Sequence, residues 1–208
     1  MSLGATITTI AVIILLFFGF IISSKRDGTF SVRNFAYTAI CISLTFVLYH
    51  VRIFQMPQGG SVTLVSTIFI TLVGYWFGLK AGITAGITFG LLVLVVNPWV
   101  VHPVQMLLDY PIASGSMGLS GLFRKGKYSL HIGFIIGSLF QLISHVLSGV
   151  LFFYMYAEDA HPVVYSILYN MSHTVPEIIF TLILISIPAF KKALDAINPN
   201  RKEQIQSL

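Results

Sequence analysis

Amide and ionisable side chains stand in this sequence where apolar runs should exclude them. Gln105 and Asp109 lie in Pro103-Val104-Gln105-Met106-Leu107-Leu108-Asp109-Tyr110, His145 lies deep in the next run, and Asn170, His173 and Glu177 in the one after. A spacing of four stacks Gln105 and Asp109 on one helix face, and His102 extends that stripe by a further three. Asn170, His173 and Glu177, spaced three and four, form a second stripe. A charged side chain at membrane depth costs about 2.5–3.5 kcal/mol even on the lenient insertion scale, so both stripes should point into a helix bundle. Hydrogen bonds between helices are the competing use. They are worth about 0.6 kcal/mol each on average, and two carboxylates with several aromatics exceed what such contacts need.

Two buried carboxylates among Trp99, Tyr110, Phe153, Tyr165 and Tyr169 suit a flat, hydrogen-bonding, cationic ligand. Aromatic faces attract cations and stack on planar rings. A carboxylate accepts from an amine or ring N–H, and Asn and His add directional contacts. Catalytic patterns are missing. There is no His-Glu-x-x-His pair, and Ser148 stands three residues from His145 on one helix without a Gly-x-Ser-x-Gly elbow. Cysteine and histidine show no metal-ligand spacing, and the single Cys41 reads as a small core residue. No cofactor is expected.

The elements that must position these residues are apolar helices. Of 208 residues, 56% are hydrophobic and 9% charged, against about 25% charged in soluble domains. The apolar runs have the length that crosses about 30 Å of hydrocarbon. They fall at roughly 5–23, 34–53, 62–78, 81–97, 103–122, 130–156 and 163–190, with Pro176 expected to kink the last. The net charge of +5 reports topology and not nucleic-acid binding, because the basic residues cluster at the ends of the runs. Lys25, Arg26, Arg33, Lys80, Arg124, Lys125, Lys127, Lys191, Lys192, Arg201 and Lys202 fall on one side and only Arg52 on the other. That side is cytoplasmic by the positive-inside rule, so the amino terminus is outside and the carboxyl terminus inside. The first run reads as a retained helix, since no basic residue precedes it and Ser23-Ser24 is a poor cleavage site.

This gives residues 1–30 as an extra transmembrane helix and linker, 31–192 as a six-helix membrane domain, and 193–208 as a short cytoplasmic tail. Three outer loops, 55–61, 97–102 and 157–162, suit a lid over an external pocket. Gly82, Gly86 and Gly90 share one helix face and allow close approach of a neighbour, and Gly133 with Gly137 repeats the device.

Several motifs, in order, resemble the thiamine transporter family, the substrate-binding S components of energy-coupling factor (ECF) transporters. They are Pro57-Gln58-Gly59-Gly60-Ser61, Leu108-Asp109-Tyr110, Gly118-Leu119-Ser120-Gly121-Leu122-Phe123, His145-Val146-Leu147-Ser148-Gly149-Val150, Tyr165 through Tyr169-Asn170, and Pro176-Glu177. The resemblance covers about residues 31–190 and implies an all-α integral membrane fold, a six-helix S-component bundle, preceded here by one extra helix. It implies that Asp109 holds an aminopyrimidine ring, that Tyr110, His145, Tyr165 and Asn170 line the site, and that Phe153 stands where the family has a stacking tryptophan. Gln105 and Glu177 complete the expected substrate-binding set.

The implied ligand is thiamine or a close precursor or analogue, taken up at the cell membrane. The implied partners are a coupling transmembrane subunit and two ATPases, since this sequence has no Walker motif. Ala36, Ala39 and Ser43 are the candidate contact with the coupling subunit. A stand-alone transporter of another small solute is the alternative, ahead of an intramembrane enzyme or a sensor.

Overall fold

In hydrocarbon, a chain rich in Ile, Leu, Val and Phe must satisfy its backbone polar groups internally, and helices do this within one segment. The computed structural model describes residues 31–63 and 65–199. The run at 5–23, expected as an extra helix, lies outside them, as do Lys25, Arg26, Arg201 and Lys202.

Helix α1 (Val32–His50) begins at Ser31, whose hydroxyl accepts from the Asn34 N–H. It leads into a two-stranded antiparallel hairpin, β1 (Arg52–Gln55) and β2 (Ser61–Thr63), with a tight turn at Pro57–Gly59. Then come α2 (Ile68–Phe77) and α3 (Leu79–Val96). The next segment is broken into α4 (Pro103–Leu107), a π-helical turn (Leu108–Ile112), α5 (Ala113–Ser116) and a 3-10 turn (Met117–Leu122). Two long helices follow, α6 (Ser129–Phe152) and α7 (Pro162–Ser186), and then the short α8 (Pro188–Ile197). Among the described residues α1, α3, α6 and α7 are long and apolar enough to cross a membrane, while α2 is shorter.

Several boundaries differ from the sequence expectation. The run at 34–53 stops being helical at His50, and the one at 62–78 starts as β2. The first outer loop is therefore the tip of a hairpin. Lys80, expected in a loop, lies in the first turn of α3, because Gly78 at φ +96° turns the chain within one residue. Pro176 lies within α7 without ending it, whereas the break at Ile187 precedes Pro188, which pushes its neighbour into the extended region. Helix α8 runs on to Ile197 with Leu194 buried, so the start of the expected tail packs on the bundle.

Glycines set the close packing. A Cβ at Gly82 would lie 2.8 Å from the Gly118 Cα, one at Gly86 would strike the Ser114 carbonyl, and one at Gly90 the Tyr110 carbonyl. Helix α3 thus lies directly against the backbone of the broken segment. On its other side, Gly133 and Gly137 bring α6 against Ser120 and Met117. Arg124 donates to the carbonyls of Tyr75 (3.2 Å) and Trp76 (2.7 Å), placing a cation at the negative end of α2. The outer face of α6 exposes Ile132, Ile135, Leu139, Ile143, Leu147 and Leu151, with no Asp, Glu, Lys or Arg in the helix. A stripe of that length suits lipid.

Candidate functional site

The broken helix begins with its proline. Pro111 has no N–H to continue the α ladder, and the Ala113 N–H reaches back five residues to the Leu108 carbonyl. The Ser144 hydroxyl donates to that same carbonyl (2.7 Å), holding the π turn against α6. Asp109 and Tyr110 are carried on this turn.

Asp109 is held on both oxygens. Oδ2 accepts from Gln105 Nε2 (2.7 Å) and Ser148 Oγ (2.8 Å), and Oδ1 from His145 Nδ1 (3.1 Å). Gln105 is 2% exposed and fully engaged. Its other amide hydrogen goes to the Trp99 carbonyl (3.1 Å), and its oxygen accepts from the Val101 N–H (3.1 Å). It therefore connects the 97–102 loop to the carboxylate. The Tyr110 hydroxyl accepts from the Trp99 N–H (2.7 Å), fixing the same loop a second time.

These groups border a cavity of about 230 Å³ between the hairpin, the broken helix, α6 and α7. Asp109, Tyr110, His145, Phe153, Tyr165, Asn170, Gln105 and Glu177 all line it, so the structure brings the whole expected set together. His102 is absent from the lining. Its ring accepts from the Val104 N–H (3.1 Å) as a helix cap and stacks on Phe152 at 4.8 Å. The expected extension of the Gln105–Asp109 stripe to His102 is therefore corrected, because an N-cap residue sits outside the helical face.

Aromatic rings form much of the wall. Phe153 meets Trp99 edge-on at 6.2 Å, and Tyr165 stacks on Tyr169 at 6.0 Å. The Tyr169 hydroxyl accepts from the Gly60 N–H (3.0 Å) and donates to the Pro57 carbonyl, fastening the hairpin tip to α7. Gly59 packs on the Trp99 ring so closely that a Cβ would lie 2.8 Å from it. Asn170 donates to the Ser166 carbonyl (2.9 Å), and Glu177 accepts from the Thr63 hydroxyl (2.7 Å).

Ser148, Thr63, Ser66 and Gln141 also line the cavity and were not anticipated. Ser148 and Gln141 stand three after and four before His145, so helical spacing could have found them. Thr63 comes from the hairpin and Ser66 from the turn that follows it, and no periodicity announces either. Ala36, Ala39 and Ser43 are exposed on α1, and none of them lines the cavity. No group of three metal-ligating side chains occurs among the described residues.

The fold is similar to a solved structure described as ThiT from Listeria monocytogenes, with a TM-score of 0.68 over 76% of this chain and 93% of that one, at 22% identity. The chain is 38% identical over 146 residues to the thiamine transporter ThiT of Bacillus subtilis, covering 63% of this chain and 76% of the relative. It is 30% identical to the thiamine transporter ThiT of Lacticaseibacillus paracasei over 53% of this chain and 64% of that one. Both relatives are named for transport and not for catalysis. The family model of the thiamine transporter protein matches residues 35–196, which takes in every helix described here except the first turn of α1 and the last residue of α8. On that match the chain, a multi-pass membrane protein with an aromatic-walled cavity, belongs to the thiamine transporter family.

Proposed function

We propose that the cavity binds thiamine, or a close precursor of it, from the outer face of the cell membrane. One observation carries this reading: a carboxylate on a π turn, held by Gln105, Ser148 and His145, borders a small aromatic cavity lined by no Lys or Arg among the described residues. Such a site favours a flat cation with amino donors. Asp109 would take the aminopyrimidine, His145 and Asn170 would add polar contacts, and Phe153, Tyr165 and Tyr110 would close on the rings. Gln105 would act through Asp109, since its own hydrogen bonds are spent.

The chain then serves as the S component of an ECF transporter, a six-helix bundle with its carboxyl terminus in the cytoplasm. The charge asymmetry of the loops supports that orientation. Ala36, Ala39 and Ser43, exposed on α1, would meet the coupling transmembrane subunit, and two partner ATPases would supply the energy.

Thiamine titration of the purified, detergent-solubilised chain, read by Trp and Tyr fluorescence, tests the reading. Saturable quenching is expected, and Asp109→Asn should weaken binding by more than about tenfold while the chain stays folded. Unchanged affinity would remove Asp109 from the site. A response only to a pyrimidine or thiazole precursor would change the ligand, and silence to all three would overturn the assignment.

A further inference from the structure

The basic side chains collect at the end of the bundle away from the hairpin, about 25 Å along α7 from Tyr169. A second cavity lies there, where α2, the start of α6, the end of α7 and α8 meet. Its volume is about 40 Å³, room for a group of roughly phosphate size. Lys127, His131, Lys191 and Asp195 line it among apolar side chains.

The polar groups of this cavity are incompletely paired. Lys127 and Lys191 are exposed, and neither forms an ion pair or hydrogen bond with a described residue. Lys127 only lies over the Tyr128 ring, at 5.2 Å. The Ser186 hydroxyl donates to the Leu182 carbonyl (2.7 Å), so at its 3.2 Å contact with His131 it accepts from Nε2–H. In the neutral ring Nδ1 is then a bare acceptor, buried without a partner among the described residues. Buried polar atoms are rarely left so, and a donor from outside the chain would complete this one.

Helix α8 lies across the same end. It starts directly after α7, and just past its last turn the Pro199 carbonyl accepts from Arg33 at the start of α1 (3.1 Å). Leu194 is buried and Phe190 packs on the core, while Lys191, Lys192 and Asp195 are exposed. One apolar and one charged face is the pattern of a helix that lies in a membrane interface. Tyr128 and Ile132 on α6 flank His131, Ile183 and Ile187 on α7 flank Ser186, and all four are exposed. They make an apolar wall that starts at the lysines.

We propose that this end of the bundle binds the headgroup of an anionic phospholipid, its phosphodiester held between Lys127 and Lys191 and its acyl chains along that wall. The inference rests on the chain's being embedded in a membrane and not on the thiamine reading. Charge favours a phosphodiester. With Asp195 in the lining, the two lysines leave a balance of one positive charge, which one phosphodiester neutralises, whereas free phosphate carries more than one. Basic pockets between membrane helices suit lipid headgroups, and on the proposed orientation this one faces the anionic cytoplasmic leaflet.

Native mass spectrometry of the full detergent-solubilised chain tests this, with phosphatidylglycerol, phosphatidylcholine and inorganic phosphate as probes. The native chain should bind phosphatidylglycerol about tenfold or more tightly than phosphatidylcholine. The double variant Lys127→Gln/Lys191→Gln should cut that preference to less than about twofold. Lys125→Gln/Lys192→Gln removes the same charge from neighbours outside the lining and should keep most of the preference. No preference in the native chain would overturn the site. Equal losses in the two double variants would overturn it too, since diffuse surface charge would then account for the binding. Displacement of the lipid by millimolar inorganic phosphate would show an anion site that is not a lipid site. Thiamine affinity should be native in both double variants, because none of the four lysines lines the larger cavity.

Discussion

The segment over 103–122 and helix α1 look alike as apolar runs, yet the molecule uses them in opposite ways. The broken segment buries Gln105, Met106, Tyr110, Ala113, Ser114, Met117 and Ser120, with backbones pressed against it by Gly82, Gly86 and Gly90 from one side and Gly133 and Gly137 from the other. Helix α1 buries only Cys41 and Thr45 and turns Phe35, Ile40, Leu44 and Val47 outward. The polar side chains divide in the same way. Gln105 reaches a loop and a carboxylate, whereas the Ser43 hydroxyl folds back on the Ala39 carbonyl of its own helix (2.9 Å). Between these two runs, close backbone contact marks the one that shapes the cavity, and an open face marks the one left for lipid or a partner.

The largest expected effect comes from adding bulk where backbones touch. Gly90→Leu would drive its Cβ into the Tyr110 carbonyl, with backbone on that side and not a side chain that can swing away. Overpacking of this kind costs about 3 kcal/mol or more. Thermal unfolding of the detergent-solubilised chain should show a large loss of stability, and thiamine binding should go with it. A Gly90→Leu variant as stable as the native chain would mean that α3 does not press on the π turn.

Much of this contrast could be read from the residues, and the reasons for the exceptions are physical. Gln105 and Asp109 bond at 2.7 Å as their spacing of four requires, and the glycine ladder meets a neighbouring backbone. The hairpin escaped notice because strands of four and three residues are too short to show a period of two, and apolar residues continue through them from the flanking helices. Ser144, Ser148 and Ser166 escaped for another reason. A serine in a helix can bond its own preceding turn or reach across, and the sequence looks the same in both cases. His102 misled because its register matches the stripe, although its backbone is not helical.

On α1 the same kind of substitution should act differently. Ala39→Leu adds bulk on an exposed face, so folding and thiamine affinity in detergent should stay within about twofold of native. If this face meets the coupling subunit, uptake into vesicles holding the whole transporter should fall several-fold. Normal uptake would move the contact elsewhere on the bundle. Loss of thiamine binding would break the division between the two regions.

The smallest effect, and the sharpest for the comparison, sets Gln105→Met against Ser43→Ala. Methionine keeps the volume of Gln105 but removes the bonds to Asp109, Trp99 and Val101. Losing a hydrogen bond to a charged group corresponds to roughly tenfold in affinity. Because Gln105 is placed to act through the carboxylate, that loss should largely vanish when Asp109→Asn is already present, a non-additivity that general loosening of the helix would not produce. Ser43→Ala removes only a bond within one helix and should leave thiamine affinity unchanged. Equal effects from the two substitutions would show that Gln105 holds the segment's fold and does not orient the carboxylate.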